Sequence, residues 1–175
     1  IDDTNDPHYG LFARFYQEYA GIGGDAEWLK TTAKATYYHT LNEEYNWVGL
    51  VSGGAGYIHA FGDSSTADAA NGIRVGDLFK ANDDIVRGFD FNGFGPKIGP
   101  DFIGGTTYFN ASAEVQFPMP AIPESIGIKG AIFADIGTLY GSSFTDATNT
   151  EMAWRSSVGA SLIWVSPFGP LRMDY

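Results

Sequence analysis

The feature that most constrains this chain is a two-residue alternation along residues 105–117. Thr106, Tyr108, Asn110, Ser112, Glu114 and Gln116 fall on one side of an extended backbone. Thr107, Phe109, Ala111, Ala113, Val115 and Phe117 fall on the other. A helix would scatter these two sets around its axis, whereas a strand keeps them apart, and the run is as long as the about 9–11 residues a strand needs to cross a bilayer. Residues 29–41 repeat the pattern, with Lys30, Thr32, Lys34, Thr36 and Tyr38 opposite Leu29, Thr31, Ala33, Ala35 and Tyr37. Lysines facing a wet lumen and small apolar residues facing outward account for that split.

Two further stretches carry their apolar residues on one face. Residues 128–140 set Ile128, Ile132, Ala134 and Ile136 against Lys129, Phe133 and Asp135. Residues 154–166 set Trp154, Val158, Leu162 and Trp164 against Arg155, Ser157 and Ser161. Trp154 and Trp164 are separated by about the height of a barrel's hydrocarbon band, which places them as membrane-interface aromatics. Residues 11–20 and 47–61 are less cleanly patterned, and in 171–175 Leu171, Met173 and Tyr175 alternate with Arg172 and Asp174. About seven strands result. The run Gly53-Gly54-Ala55-Gly56 predicts a bulge or a close backbone approach within the third.

Composition narrows the class. Charged residues make up only 18% while aromatics reach 15%, and the 23 glycines recur in every segment, which suits strands and turns. No run approaches the roughly 20 apolar residues of a spanning helix, and a mean hydropathy of −0.12 is what alternating strands produce. A net charge of −11 speaks against nucleic acid, which is bound through clustered Lys and Arg. Without cysteine there is neither a disulfide nor a thiolate metal site. The predicted fold is all-β: an antiparallel up-and-down transmembrane β-barrel.

The connections alternate in length, as they do in such barrels. Short turns fit 42–46, 118–126 and 166–170; longer loops fit 21–26, 141–151 and, above all, 62–103. The last is far longer than ordinary connections. It is also rich in apolar residues, among them Ile73, Leu78, Phe79, Ile85 and Phe89, which predicts a loop that is folded and tucked inward.

That loop carries Val86-Arg87-Gly88-Phe89, followed by Asn92-Gly93-Phe94-Gly95-Pro96-Lys97. Downstream come Gly104-Gly105-Thr-Thr-Tyr-Phe-Asn-Ala-Ser-Ala-Glu114-Val-Gln-Phe-Pro118, then Phe133-Ala-Asp135-Ile-Gly137, then Trp164-Val-Ser-Pro-Phe-Gly-Pro-Leu-Arg-Met-Asp-Tyr175. In order and spacing these pieces resemble the BamA family of outer-membrane assembly factors, also called the bacterial surface antigen family. The resemblance implies a barrel of roughly sixteen strands preceded by periplasmic POTRA domains. Residues 1–175 would be a C-terminal portion of that barrel, with the POTRA domains, the first barrel strands and the last strand lying outside the chain.

The resemblance further implies a bacterial outer-membrane location and a protein that folds and inserts other outer-membrane proteins through a lateral seam. Its partners would be unfolded outer-membrane proteins, Bam-complex lipoproteins and outer-membrane lipid, with no cofactor. Rival readings are a two-partner secretion pore of the same superfamily and a passive porin-like barrel. In this family the loop arginine pairs with acidic residues of the inner wall; the matching positions are Arg87, Asp135 and Glu114. Alternation independently puts both carboxylates on polar faces. Gly88 and Gly93 are expected at tight turns, Phe89 against the lumen wall, and Gly137 completes the Asp-x-Gly motif.

No enzyme is expected. His8, His39 and His59 stand on three segments without metal-ligand spacing, and no nucleophile has a companion base. Asp2, Asp3, Asp6, Asp83 and Asp84 read as solvated loop charges. Gly93–Lys97 fits neither the Walker nor the dinucleotide spacing.

Overall fold

A computed structural model describes residues 1–21, 26–61, 72–166 and 169–175, with Glu124 described by its backbone alone. The alternating segments become β1 (Gly10–Ala20), β2 (Trp28–Asn42), β3 (Trp47–Ala60), β6 (Thr107–Pro118), β7 (Ile128–Tyr140), β8 (Arg155–Ser166) and β9 (Gly169–Asp174). Two short strands, β4 (Lys97–Ile98) and β5 (Asp101–Phe102), lie within the long loop. The seven long strands pair in chain order into one antiparallel sheet that curves into half a barrel, which is the predicted fold class. One row of partners runs Ala13, Ala35, Gly53, Ala111, Ile136 and Ser156 across six strands.

One local feature decides between two expected alternatives and two differ from expectation. The glycine run in β3 keeps regular pairing, and the one register shift between β2 and β3 falls between Thr40 and Asn42. The glycines serve the other alternative, close approach, here by side chains, since a Cβ on Gly54 would stand 2.5 Å from the Asn110 amide oxygen and one on Gly56 would stand 2.6 Å from the Phe79 ring. The β4–β5 hairpin has too few residues to show a period; its turn relies on Gly99, at φ +59°. Finally, β8 starts at Arg155, so Trp154 lies just outside the strand.

The two faces of the sheet are opposite in character. Large apolar side chains stand exposed on the convex face, Val158 being 82% exposed and Ile132, Val51 and Tyr57 more than half. Such a continuous apolar face is costly in water and favourable in lipid. Aromatics bound it at two heights, with Trp47 against Phe117 (5.9 Å) toward the short-turn rim and Phe109 against Tyr140 (6.4 Å) toward the long-loop rim.

The concave face is covered by the loop. One apolar cluster joins Ile73, Leu78 and Ile103 of the loop to Trp28 of β2 and Ile58 of β3. A second joins Ala81, Ile85, Val86 and Phe94 to Leu139 of β7. Burial of these side chains, at about 25 cal/mol per Å², offsets the entropy of ordering so long a connection. The hairpin is also pinned from above: Lys97 N–H donates to the Thr148 carbonyl (3.0 Å) and Thr148 N–H to the Lys97 carbonyl (2.8 Å). Lys30, expected to face a wet lumen, donates to the Asp77 carbonyl at 2.8 Å and lies 4.6 Å from the Phe79 ring centroid, so it fastens the loop.

Candidate functional site

The second apolar cluster delivers Arg87 to the inner wall. Val86 is fully buried beneath the loop, and Gly88, at φ +83°, turns the chain back toward the rim immediately afterwards. The side chain between them therefore points down onto β6 and β7. Gly137 makes this possible, because a Cβ there would lie 2.7 Å from Val86 Cγ2 and 3.0 Å from the Ile85 carbonyl oxygen. The glycine of the Asp-x-Gly motif is the seat on which the loop backbone rests.

Arg87 spends its donors on three wall residues. Nε donates to Asp135 Oδ2 and Nη2 to Asp135 Oδ1, each at 2.7 Å, a bidentate fork. The Arg87 backbone N–H adds a third bond to Asp135 Oδ2 at 3.2 Å. Nη1 donates to Glu114 Oε2 at 2.7 Å, and Nη2 also reaches Ser112 Oγ at 2.9 Å. Ser112 in turn donates to Asp135 Oδ1 at 2.6 Å. The guanidinium carbon lies 3.6 Å from the Phe133 ring centroid, so a π face closes its remaining side.

Arg87, Glu114 and Asp135 are all buried. Burial pulls the proton affinity of Arg87 down, yet its hydrogen bonds to Asp135 and Glu114 outweigh this and hold it above the usual arginine range. The Arg87 guanidinium of the cluster thus stays charged. Removing one member would strand a partner charge at a cost of roughly 3–5 kcal/mol. Chemically the arrangement is a clamp: both carboxylate oxygens of Asp135 and of Glu114 are already acceptors, and a cavity of about 560 Å³ beside it is lined by Lys34, Ser52, Asn82, Asn110 and Asp174. Among the described residues no group of His, Asp and Glu could hold a metal ion.

The remaining sequence-predicted residues are dispersed. Phe89 is half-buried and packs edge-on against Phe94, ring centroids 5.2 Å apart, against the cluster that joins the loop to Leu139 of β7. Gly93 keeps negative φ; its constraint is close approach, with a Cβ there 2.8 Å from the Asp90 carbonyl. Trp154 and Trp164 stand half-exposed away from the clamp, and Trp164 Nε1 donates to the Ile126 carbonyl at 3.0 Å.

Other residues enter unforeseen. Ser112 and Phe133 share the polar-face parity of Glu114 and Asp135, a signal that marks a face but not a contact. Arg172 of β9 donates from Nη1 to Glu114 Oε1 at 2.9 Å and from Nη2 to Glu114 Oε2 at 2.7 Å. Asp6, expected to be solvated, accepts from the buried Lys129 at 2.5 and 2.7 Å, which folds the segment before β1 across the short-turn rim. Asp84 pairs with Lys34 at 2.9 Å, both largely exposed, and such pairs contribute little.

Comparison with known proteins places this geometry. The Omp85 superfamily domain matches residues 1–175. The outer membrane protein assembly factor BamA of Neorickettsia risticii is 36% identical over 177 residues, covering 99% of this chain and 22% of that protein. BamA of Neisseria meningitidis is 23% identical, covering 97% of this chain and 24% of that protein, and a SAM50-like protein of Schizosaccharomyces pombe is 26% identical, covering 99% and 38%. The chain spans between about a fifth and two fifths of the length of these relatives. Among solved structures, BamA from Haemophilus ducreyi lacking POTRA domains 1–3 superposes on the whole chain with a TM-score of 0.77 at 25% identity, over 36% of that chain.

Proposed function

The chain belongs to the Omp85 superfamily and is a β-barrel segment of the bacterial outer membrane, and from that premise we propose that it works within an outer-membrane protein assembly factor. The observation that carries this reading is the Arg87 clamp. A porin can also constrict its lumen with a loop; what favours the assembly reading is that the arginine of Val-Arg-Gly-Phe is forked onto the aspartate of the Asp-x-Gly strand, with a second carboxylate on the next strand. The clamp residues are structural, and no catalytic step or cofactor belongs to the reading.

In its finer form the proposal has the loop lock supporting a barrel that opens at a lateral seam. An unfolded client then adds its strands by main-chain pairing at the exposed edge, and lipid receives the finished barrel. Bam-complex lipoproteins are the expected accessory partners. A two-partner secretion pore is the competing reading, and one experiment separates the two. The full-length protein is depleted in its own bacterium and the folded amounts of several unrelated porins are measured. A broad fall with accumulating unfolded precursors is expected; normal porins with loss of one secreted protein would transfer the function to secretion.

A further inference from the structure

Glu114 sits between two guanidinium groups, and only one of them belongs to the loop. Arg172 grips the carboxylate end-on with two parallel bonds, while its Nε donates to Asp174 Oδ1 at 2.7 Å and its Nη2 to Ser161 Oγ at 2.6 Å. Arg172 stands on β9 and Glu114 on β6, with β7 and β8 between them in the sheet. At about 4.8 Å per strand this is a long reach, made by an extended side chain across the concave curve. Ser161 of β8 meets Arg172 on the way, and Gly159 of β8 leaves room for the Phe133 ring, since a Cβ there would stand 2.5 Å from it. Phe133 is the same ring on which Arg87 stacks.

We propose that Arg172 is a positioning residue for the loop: by holding Glu114 in a bidentate grip it fixes the carboxylate that receives Arg87, so that the loop and β9 are set together. The physical reason is charge balance. Arg87 lies 4.0 Å from Asp174 as well as 2.7 Å from Glu114, so two cations are interleaved with the carboxylates of Glu114, Asp135 and Asp174. The two guanidinium groups meet at Glu114 Oε2, which accepts from Arg87 Nη1 and from Arg172 Nη2, each at 2.7 Å. Within the assembly reading, on which this consequence rests, a displacement of β9 would loosen the loop and a displacement of the loop would loosen β9.

The test uses the full-length protein in native outer membranes and reads protease cleavage between residues 72 and 106, with heat-modifiable migration confirming a folded barrel. Arg172→Met is expected to accelerate cleavage roughly tenfold, the scale of one lost charged hydrogen bond. Arg172→Lys should fall between the two, since an ammonium cannot form the fork. In an Arg87→Met background Arg172→Met should add less than about twofold, because the partner it serves is gone. Wild-type cleavage in Arg172→Met, or the same acceleration in both backgrounds, overturns the proposal. Should Arg172→Met fail to fold, Arg172→Lys alone decides, with cleavage above wild type expected and unchanged cleavage refuting. No client enters this readout, so it stands or falls separately from the porin measurement.

Discussion

Asp135, Ile136 and Gly137 are neighbours on β7, yet they belong to different worlds. Asp135 is 6% exposed and surrounded by donors on the concave face, whereas Ile136 is 44% exposed on the convex face. Gly137 is back on the concave side, where absence of a side chain is its contribution. The contrast teaches that adjacent residues of one strand can serve two unlike environments. The sheet's interior combines two apolar clusters with a set of directional charges around Arg87, and its exterior is held by the uniform preference of apolar surface for lipid.

That contrast can be broken one residue at a time. The largest effect is expected from Asp135→Ala, which leaves Arg87 buried with its fork empty. Roughly 3–5 kcal/mol of loop anchoring should be lost, seen as rapid protease cleavage between residues 72 and 106 in the folded full-length protein. Cleavage at the wild-type rate would mean that the two apolar clusters hold the loop alone. Ile136→Arg attacks the other side. A charge on the lipid face should cost about 2–4 kcal/mol near the bilayer midplane, measured as reduced folding into lipid vesicles, with loop protection unchanged in the molecules that do fold. If loop protection fell as well, the two faces would not be independent.

Gly137→Val sharpens the comparison with the smallest effect of the three. Its Cβ would press on Val86 and the Ile85 carbonyl, so the loop must lift. A loss of about 1–3 kcal/mol is expected, the usual range for overpacking, again read as loop cleavage. The barrel itself should fold normally because the strand pairing of Gly137 with Asn110 and Arg155 is untouched. A barrel that fails to fold would instead make Gly137 a requirement of the sheet.

Much of the fold was legible because a strand states its own geometry. Residues 128–140 become β7 with the same limits, and the other long strands shift by a residue or two at their ends. The glycine run was ambiguous in sequence, since a bulge and a close approach both call for glycine, and only the position of Phe79 and Asn110 decides between them. The alternation of short turns and long loops was equally readable, although parts of 21–26, 62–103 and 166–170 lie outside the described residues.

The site was legible as a set of residues more than as a geometry. The motifs named Arg87, Glu114 and Asp135, and alternation put both carboxylates on the polar side. Arg172 and Asp174 had the same polar parity in 171–175, but nothing local distinguished them from solvated charges. Asp6 had even less to mark it.

The sequence by itself determined the two-residue period, the face of each side chain and the order of turns and loops, because these depend on neighbours along one strand. Only the tertiary structure decided that Arg172 of β9 would meet Glu114 of β6, and that Asp6 would meet Lys129. Such meetings depend on register and curvature accumulated over several strands, and on a loop dropped across the concave side. A pattern that repeats every two residues carries no record of either.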